Sequence, residues 1–287
     1  MRIPESELII NGDGSVFHLH IRPEQLADTV ILVGDPGRVA MVKSYFSSIE
    51  CEGASREFVW ATGIYNGKKV TALSTGIGTD NIDIVMTELD ALANVDFNTR
   101  EVKPEHKTLN ILRIGTCGAI QPEIPLGSFI FSHISVGCDG LLNWYENRES
   151  IALQDFEDAF KEHVHWNKHL PDPYFVRAGQ AIIDRFIDCT VKGMTISASG
   201  FYGPQGRVVR QGLAMPHMLE DFESFSFKGY KITNFEMESS ALAGLCRLLG
   251  HHATTCCLVV ANRLIKEANP NYKNTIDNLI KTVLDRI

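Results

Sequence analysis

The chain has 287 residues, of which 44% are hydrophobic and 22% are charged. This length is typical of one large α/β domain, so we expect a single domain over residues 1–287 whose core needs no metal or disulfide. The formal net charge of −8 argues against a broad nucleic-acid-binding face, which requires a basic surface. No stretch approaches the roughly 20 apolar residues of a membrane span, and the first residues lack the apolar core of a signal peptide. We therefore expect a cytoplasmic protein with no nucleic-acid or membrane partner.

The cysteines and histidines do not form a metal-binding motif. The seven cysteines are scattered and lack Cys-x-x-Cys spacing, which is typical of reduced thiols in a cytoplasmic protein. His163, His165 and His169 lie in one segment, but no His-Glu-x-x-His motif or matched cysteine pair accompanies them. We interpret these histidines as part of a solvated helix face and predict no metal site.

Predicted strands and helices alternate along the chain. The first half contains a strand at 29–33, a helix at 39–46, strands at 58–60 and 69–74 joined by an Asn66-Gly67 hairpin turn, and a helix at 82–92. The second half contains strands at 110–114, 128–136, 175–183 and 194–198, a helix at 237–249 that ends at Gly250, a strand at 254–261 and a helix at 274–287. Because strands that end in glycine alternate with helices, we predict an α/β sandwich with its sites at the strand ends.

Two glycine-rich segments that follow predicted strands carry arginines. The segment from Gly34 to Arg38 opens a helix, whose free N–H groups point toward an anion. It matches neither a dinucleotide loop nor a P-loop, and a plain turn with a surface arginine also explains it. The second segment places Arg113 late in an apolar strand, where an unpaired charge costs several kcal/mol, and a loop at 115–118 with the hydroxyl of Thr116 follows. Together the two segments favour an oxyanion site.

The segment 201–207 (Phe-Tyr-Gly-Pro-Gln-Gly-Arg) brings an aromatic ring, an amide and a guanidinium into one loop. An amide both donates and accepts, so Gln205 can pair with the adjacent C=O and N–H groups of a pyrimidine. Arg207 only donates, which suits a carbonyl or an anionic leaving base. Phe201 offers an apolar face to a flat ring. The segment therefore predicts a site for a heterocyclic base.

Two glutamates, Glu236 and Glu238, lie at the predicted start of the helix 237–249. Helix capping explains one of them, because acidic residues at a helix N-terminus interact favourably with its dipole. In a helix their side chains would point about 200° apart, so we expect one of them to project into a pocket. A carboxylate there would accept hydrogen bonds from both hydroxyls of a ribose. Met237 would pack either beneath the sugar or in the core.

These segments, in this order, resemble those of the nucleoside phosphorylase-I superfamily, and within it the branch that acts on uridine. The resemblance extends over residues 16–263, and its most specific elements are 113–121 (Arg-Ile-Gly-Thr-Cys-Gly-Ala-Ile-Gln) and 201–207. It implies a three-layer α/β/α sandwich with a central mixed, partly barrel-like sheet. It also implies the reversible phosphorolysis of uridine to uracil and ribose 1-phosphate, with inorganic phosphate as co-substrate and no cofactor.

The resemblance also implies a role for each matching residue. Phosphate would be bound by Gly34, Arg38, Arg113 and Thr116, together with Arg56 of a neighbouring subunit. Ribose would be held by Thr116, Met237 and Glu238, with His18 of the neighbour near the 5′-hydroxyl. Uracil would be held by Phe201, Gln205 and Arg207. The catalytic residues would be Arg113, Thr116, Gln205 and Arg207. The minimal active unit would be a homodimer, and similar bacterial enzymes assemble three dimers into a hexamer.

Two alternatives remain open at the level of sequence. One is a purine nucleoside phosphorylase or nucleosidase of the same superfamily. Purine-directed relatives carry a Ser-Asp pair after the last core strand, whereas 261–265 here reads Ala-Asn-Arg-Leu-Ile. Retained Arg38 and Arg113 argue for phosphate rather than plain hydrolysis. The other alternative is a non-catalytic nucleoside-binding protein, since fold does not guarantee function.

Overall fold

The structure, a computed structural model, describes residues 2–287. The elements of the first half, in chain order, are β1 (Thr29–Val33), α1 (Pro36–Lys43), β2 (Ser48–Ser55), β3 (Phe58–Tyr65), β4 (Lys68–Ser74), α2 (Thr79–Asn94), β5 (Val95–Asp96), β6 (Glu101–Val102) and β7 (Asn110–Ala119). Those of the second half are β8 (Phe129–Gly137), α3 (Gln154–His163), β9 (Tyr174–Arg177), α4 (Gln180–Phe186), β10 (Val191–Ser197), α5 (Met218–Ser224), β11 (Ser226–Phe227), β12 (Tyr230–Glu236), α6 (Ser239–Leu248), β13 (His252–Asn262), β14 (Glu267–Ala268) and α7 (Lys273–Leu284).

The central sheet has twelve strands in the order β11-β12-β10-β8-β13-β7-β1-β4-β3-β2, with β14 paired to β13 and β9 to β8. Strands β4, β1, β7 and β13 run parallel to one another. Strand β12 also pairs with β7, so the strands β7, β12, β10, β8 and β13 close into a ring. This confirms the predicted mixed, partly barrel-like sheet.

Helices cover both faces of the sheet. On one face, α2 and α6 bury residues such as Ile82 and Leu242 in a core that continues into β1 and β7. On the other face, α1, α4 and α7 bury residues such as Val39, Ile183 and Leu279. Each helix turns one apolar stripe toward the sheet, as its 3.6-residue periodicity requires. The three-layer α/β/α arrangement is thus confirmed.

The register of the parallel strands brings several glycine-rich segments to one edge of the sheet. Val33, the last residue of β1, pairs with Ser74 at the end of β4 and with Ile114 in β7. Gly34, which follows Val33, therefore lies between Gly115 and the segment that contains Gly76. Carboxyl ends of parallel strands are the usual place for a ligand site in α/β proteins.

Three predicted elements differ from the structure. Residues 115–118 are not a loop, because β7 continues through them while it pairs with β13 and β12. The predicted strand at 175–183 is β9 followed by α4, and the predicted helix start at 237 is wrong because β12 ends at Glu236 and α6 begins at Ser239. Strand β12 itself was not predicted, because polar residues such as Asn234, which accepts from Thr195 Oγ1 at 3.0 Å, interrupt its apolar pattern.

Among residues 2–287, no helix has both the length and the apolar character that a membrane crossing would need.

Candidate active site

A cavity of about 600 Å³ opens at the carboxyl ends of the parallel strands. This volume lies within the range of small-molecule sites in proteins. Nine residues of the sequence-based site prediction line it: Gly34, Arg38, Arg113, Thr116, Phe201, Gln205, Arg207, Met237 and Glu238. The fold therefore brings together segments that are more than 200 residues apart in the chain.

Arg38 is a buried cation without a carboxylate partner among residues 2–287. It lies in the first turn of α1, where Asp35 caps the helix by accepting from the N–H of Gly37 at 2.9 Å. The only hydrogen bond of its guanidinium in the described chain is to the carbonyl of Ile114 at 3.2 Å. Burial, and secondarily the charge of Arg113, lowers the pKa of Arg38. An anion in the cavity would relieve both effects, because it would neutralise the charge that burial disfavours.

Arg113 is also buried, but both glutamates at the end of β12 contact it. Its guanidinium forms an ion pair with Glu238 and lies 3.3 Å from Glu236. Burial alone would lower the pKa of Arg113, but Glu238 and Glu236 outweigh it and raise the pKa. A Cβ at position 115 would collide with this guanidinium, so Gly115 is required here by the close approach of Arg113.

The two glutamates share one side of the cavity, contrary to the expectation that they point about 200° apart. That expectation assumed a helix, whereas Glu236 ends β12 and Glu238 precedes the first residue of α6. Glu236 accepts from the N–H groups of Glu238 and Ser239 at 2.9 and 3.0 Å and from Ser197 Oγ at 2.5 Å. Glu236 therefore serves as the cap that sequence reasoning assigned to one of the pair.

Glu238 is the carboxylate that projects into the cavity beside Met237. One of its oxygens accepts from the N–H of Gly78 at 2.8 Å, and the other is ion-paired with Arg113. Burial raises the pKa of Glu238 against the opposing effect of Arg113, and the nearby Glu236 raises it further. Two buried carboxylates thus compete for one guanidinium, which leaves the protonation of Glu238 sensitive to any further anion in the cavity.

The other end of the cavity is formed by the loop 201–207. The Arg207 guanidinium stacks over the Phe201 ring at 3.7 Å from its centroid and donates to Gln205 Oε1 at 2.7 Å. Burial, and secondarily Arg263, lowers the pKa of Arg207 to about 10, so it remains a cation at neutral pH. Because Gln205 Oε1 accepts from Arg207, the NH₂ group of Gln205 is left to donate to a ligand.

Arg263 supports this loop from behind, a role that sequence reasoning did not assign. Its guanidinium donates to the backbone carbonyl of Gln205 at 2.7 Å, and its methylene groups pack near Gly118. Its position directly after an apolar strand is the same signal that singled out Arg113. The neighbouring Asn262 is fully occupied, donating to Gln121 and Ile124 carbonyls at 3.0 and 3.1 Å and accepting from Leu264.

Two residues of the site prediction, Arg56 and His18, do not line the cavity. Arg56 is exposed in the turn between β2 and β3 and has a left-handed backbone, with φ of 54°. His18 is half-buried, and its Nδ1 lies 2.6 Å from Glu88, which also accepts from the backbone N–H groups of His18 and Leu19. Both residues were expected to act on the cavity of a neighbouring subunit, so their roles stay predictions.

Asp90, His106 and His251 lie close enough together to hold a metal ion, but their nitrogens are engaged in hydrogen bonds. His251 Nδ1 accepts from the Leu109 N–H at 3.1 Å, so its Nε2 carries the proton and donates to Asp90 at 3.0 Å. His106 Nε2 donates to the Leu249 carbonyl at 2.9 Å. This donor set fits a structural network better than a metal centre. All seven cysteines are free thiols.

The cavity combines a buried arginine that has no carboxylate partner among residues 2–287, a carboxylate and an amide–guanidinium pair, a class of site whose groups suit an oxyanion, hydroxyls and a heterocyclic base. The family comparison agrees with this class. The chain belongs to the phosphorylase superfamily, whose model matches residues 28–285.

Individual relatives come from both substrate branches of this family. The chain is 30% identical to the uridine phosphorylase of Escherichia coli over 94% of its own length and 96% of that protein's. It is 34% identical to a DeoD-type purine nucleoside phosphorylase of Bacillus velezensis over 94% and 98% of the two lengths. Among solved structures, a Trypanosoma brucei nucleoside phosphorylase described as showing uridine phosphorylase activity is 30% identical, with a TM-score of 0.87 and coverage of 97% and 98%.

Proposed function

We propose that this chain is a uridine phosphorylase, which converts uridine and phosphate reversibly to uracil and ribose 1-phosphate. The observation that carries the proposal is that Gln205 and Arg207 lie in the same cavity as Arg38 and Arg113. One end of the cavity can therefore donate hydrogen bonds to the carbonyl oxygens of a base while the other neutralises phosphate. Uridine phosphorylases of about 30% identity over most of the chain support this proposal.

The purine branch is disfavoured by the carboxylates that line the cavity. Departure of a purine is assisted by a carboxylic acid that protonates N7, and Asp35, Glu236 and Glu238 are the carboxylates that line the cavity in residues 2–287. Asp35 caps α1, and the two glutamates contact Arg113. The base end of the cavity is lined by Gln205 and Arg207 and supported by Arg263, and none of these side chains is an acid. A pyrimidine, whose departing ring gains charge on its carbonyl oxygens, suits these donors.

The proposed mechanism is electrostatic. As the glycosidic bond lengthens, the ribose becomes oxocarbenium-like and the uracil becomes negative. Gln205 and Arg207 would stabilise the leaving base by hydrogen bonds in a site that is already oriented, which is where preorganised donors are most effective. Phosphate held by Arg38, the Gly34 backbone and Thr116 would lie beneath C1′ and offset the positive sugar. Glu238 and Met237 would fix the ribose so that attack is close and in line.

We further propose that two chains share each site. Arg56 and His18 lie outside the cavity of their own chain, and the left-handed backbone of Arg56 presents its side chain at an exposed turn. The test is to mix an Arg56→Ala variant with an Arg38→Met variant, each of which should have a raised KM for phosphate when assayed alone. Shared sites predict that mixed dimers, in which one site has both arginines, regain part of the parental activity at low phosphate. If the mixture after subunit exchange shows only the average activity of the two variants, shared sites would be contradicted.

The activity itself is tested by following uracil release by ultraviolet absorbance. With uridine, release should require phosphate, and ribose 1-phosphate should appear in equal amount. Hydrolysis at the same rate without phosphate would indicate a nucleosidase, and cleavage of inosine in preference to uridine would indicate the purine branch.

A further inference from the structure

A second group of cations lies far from the cavity, around the ring of Tyr230. Arg177 is the last residue of β9, Lys192 is the second residue of β10, and Tyr230 is the first residue of β12. Arg177 donates to the phenol oxygen of Tyr230 at 2.7 Å, and the Lys192 ammonium lies 4.1 Å from the centroid of the same ring. Two positively charged side chains thus contact one aromatic side chain.

Within the described part of the chain, neither of these two cations forms an ion pair with a carboxylate. The ion pairs formed within residues 2–287 do not include Arg177 or Lys192. A third cation, Arg247, donates to the backbone carbonyl of Arg177 at 3.3 Å. Contact with an aromatic face offsets only about 0.5–1 kcal/mol at an exposed site. An anion between the cations would therefore compensate positive charge that the aromatic contact and solvent screening offset only in part.

His133, on β8, lies close enough to these cations for their charges to affect its protonation. It is buried, with 5% exposure, and its ring packs edge-on against Phe131 at 5.3 Å between centroids. Burial, and then the charges of Lys192 and Arg177, lowers the pKa of His133 to about 4. A neutral imidazole can donate one hydrogen bond and accept another, so it adds a polar group to the cationic surface.

We propose that Arg177, Lys192 and Tyr230 form a second anion site, for a phosphate-type oxyanion, at the amino ends of β10 and β12. The guanidinium fork and the ammonium would bind separate oxygens of one tetrahedral anion, a geometry that arginine and lysine share in phosphate sites. A dianion would neutralise both charges at once. Free phosphate and a phosphomonoester present the same terminal oxygens, and both are ligands of this class.

This site is separate from the cavity and does not depend on the proposed reaction. Lys192 lies five residues before Ser197, whose hydroxyl contacts Glu236 in the cavity wall. At about 3.3 Å per residue along a strand, the two sites are roughly 16 Å apart along β10. A single small substrate in the cavity therefore cannot supply the anion.

The test follows the His133 ring by NMR in the full-length protein labelled at its histidine ring carbons, with the resonance assigned from a His133→Gln variant. Inorganic phosphate should shift the resonance saturably and raise the pKa of His133 from about 4. Lys192→Met should weaken this binding by about tenfold or more, as loss of a charged hydrogen bond predicts. The matched control is Lys231→Met, since strand alternation turns Lys231 away from Tyr230. An Arg38→Met variant should keep the response, which separates this site from the cavity.

Ribose 5-phosphate in place of phosphate shows whether a phosphomonoester also binds, and an equal or larger shift would assign the site to sugar phosphates. Absence of a saturable shift with either probe would overturn the proposal. So would an equal response in Lys192→Met. A resonance that instead shifts with protein concentration in the absence of phosphate would show that a carboxylate of a second copy occupies the site, and would also overturn it.

Discussion

Arg113 and Glu238 form a buried ion pair that joins the two walls of the cavity. Arg113 lies in β7, and Glu238, just before α6, also accepts from the N–H of Gly78. The charge of Arg113 is thus compensated within the chain, whereas Arg38 has no carboxylate partner in the part of the chain that the structure describes. We infer a division of roles, in which Arg38 supplies net positive charge for phosphate and Arg113 orients Glu238.

Replacing Arg38 by Met should raise the KM for phosphate by about tenfold or more, because a charged hydrogen bond to the anion is lost. The melting temperature should not fall, since the variant removes a buried cation that has no carboxylate partner in the described chain. Steady-state kinetics with varied phosphate, together with a thermal melt, test both parts. A clear loss of stability with an unchanged phosphate KM would contradict the role of Arg38.

Replacing Arg113 by Met should lower both activity and stability. Removal of one partner of a buried pair leaves uncompensated charge and typically costs about 3–5 kcal/mol, and here Glu236 and Glu238 would both lose their cation. The double variant Arg113→Met with Glu238→Gln should recover part of the stability but not the activity. If Arg113→Met were as stable as the parent, the buried ion pair would not contribute to the free energy of unfolding as we expect.

Replacing Gln205 by Ala should raise the KM for uridine and lower turnover, while the KM for phosphate stays unchanged. The amide is held by Arg207 at 2.7 Å, so the variant also frees Arg207 from its partner. Loss of a single preorganised donor to developing charge typically costs about 10²–10³ in turnover. Equal effects on uridine and phosphate would mean that Gln205 acts on the whole cavity rather than on the base.

Arg263 should act as a positioning residue, so its replacement should change the KM for uridine but not the KM for phosphate. Arg263→Met removes the hydrogen bond to the Gln205 carbonyl but keeps much of the packing near Gly118. We expect a rise in uridine KM smaller than that of Gln205→Ala, and partial rescue by Arg263→Lys. Combining Arg263→Met with Gln205→Ala should add little further loss. Full additivity in this double-mutant cycle would show that the two residues act independently.

His133 should make the folded state less stable in mild acid. Its pKa is about 4 when folded and about 6.5 in the unfolded chain, so the unfolded state binds the extra proton between these values. The free energy of unfolding should therefore fall as the pH decreases from about 6.5 to 4. In His133→Gln this part of the pH dependence should be missing, whereas the exposed His169→Gln serves as control. Parallel stability profiles of parent and His133→Gln would contradict the assignment.

Much of the fold could be predicted from the sequence, because buried strands such as β1 and the Asn66-Gly67 turn carry local signals. Asn66 and Gly67 both have positive φ, 48° and 77°, as this hairpin turn requires. The continuation of β7 through Gly115–Gly118 could not be predicted, since glycines read as a loop until β12 and β13 pair with them. The end of β12 at Glu236 could not be predicted either, because the polar residues of this strand accept hydrogen bonds from side chains of the neighbouring β10.

The candidate site was predictable where residue chemistry is unusual in its local context. Two features of the sequence need an explanation: Arg113 within an apolar strand, and the amide–guanidinium pair of Gln205 and Arg207. All three residues line the cavity. What sequence could not show is which charges compensate one another. The contacts of Glu236 and Glu238 with Arg113 join segments 123 and 125 residues apart in the chain, so no local pattern indicates them.

The most direct test of the proposed uridine phosphorylase activity is the ultraviolet assay of the purified protein with uridine and with inosine, each with and without phosphate. We predict cleavage of uridine only, and only with phosphate, because the amide–guanidinium pair and the oxyanion site must both be filled. Cleavage of inosine, or phosphate-independent cleavage of uridine, would contradict it.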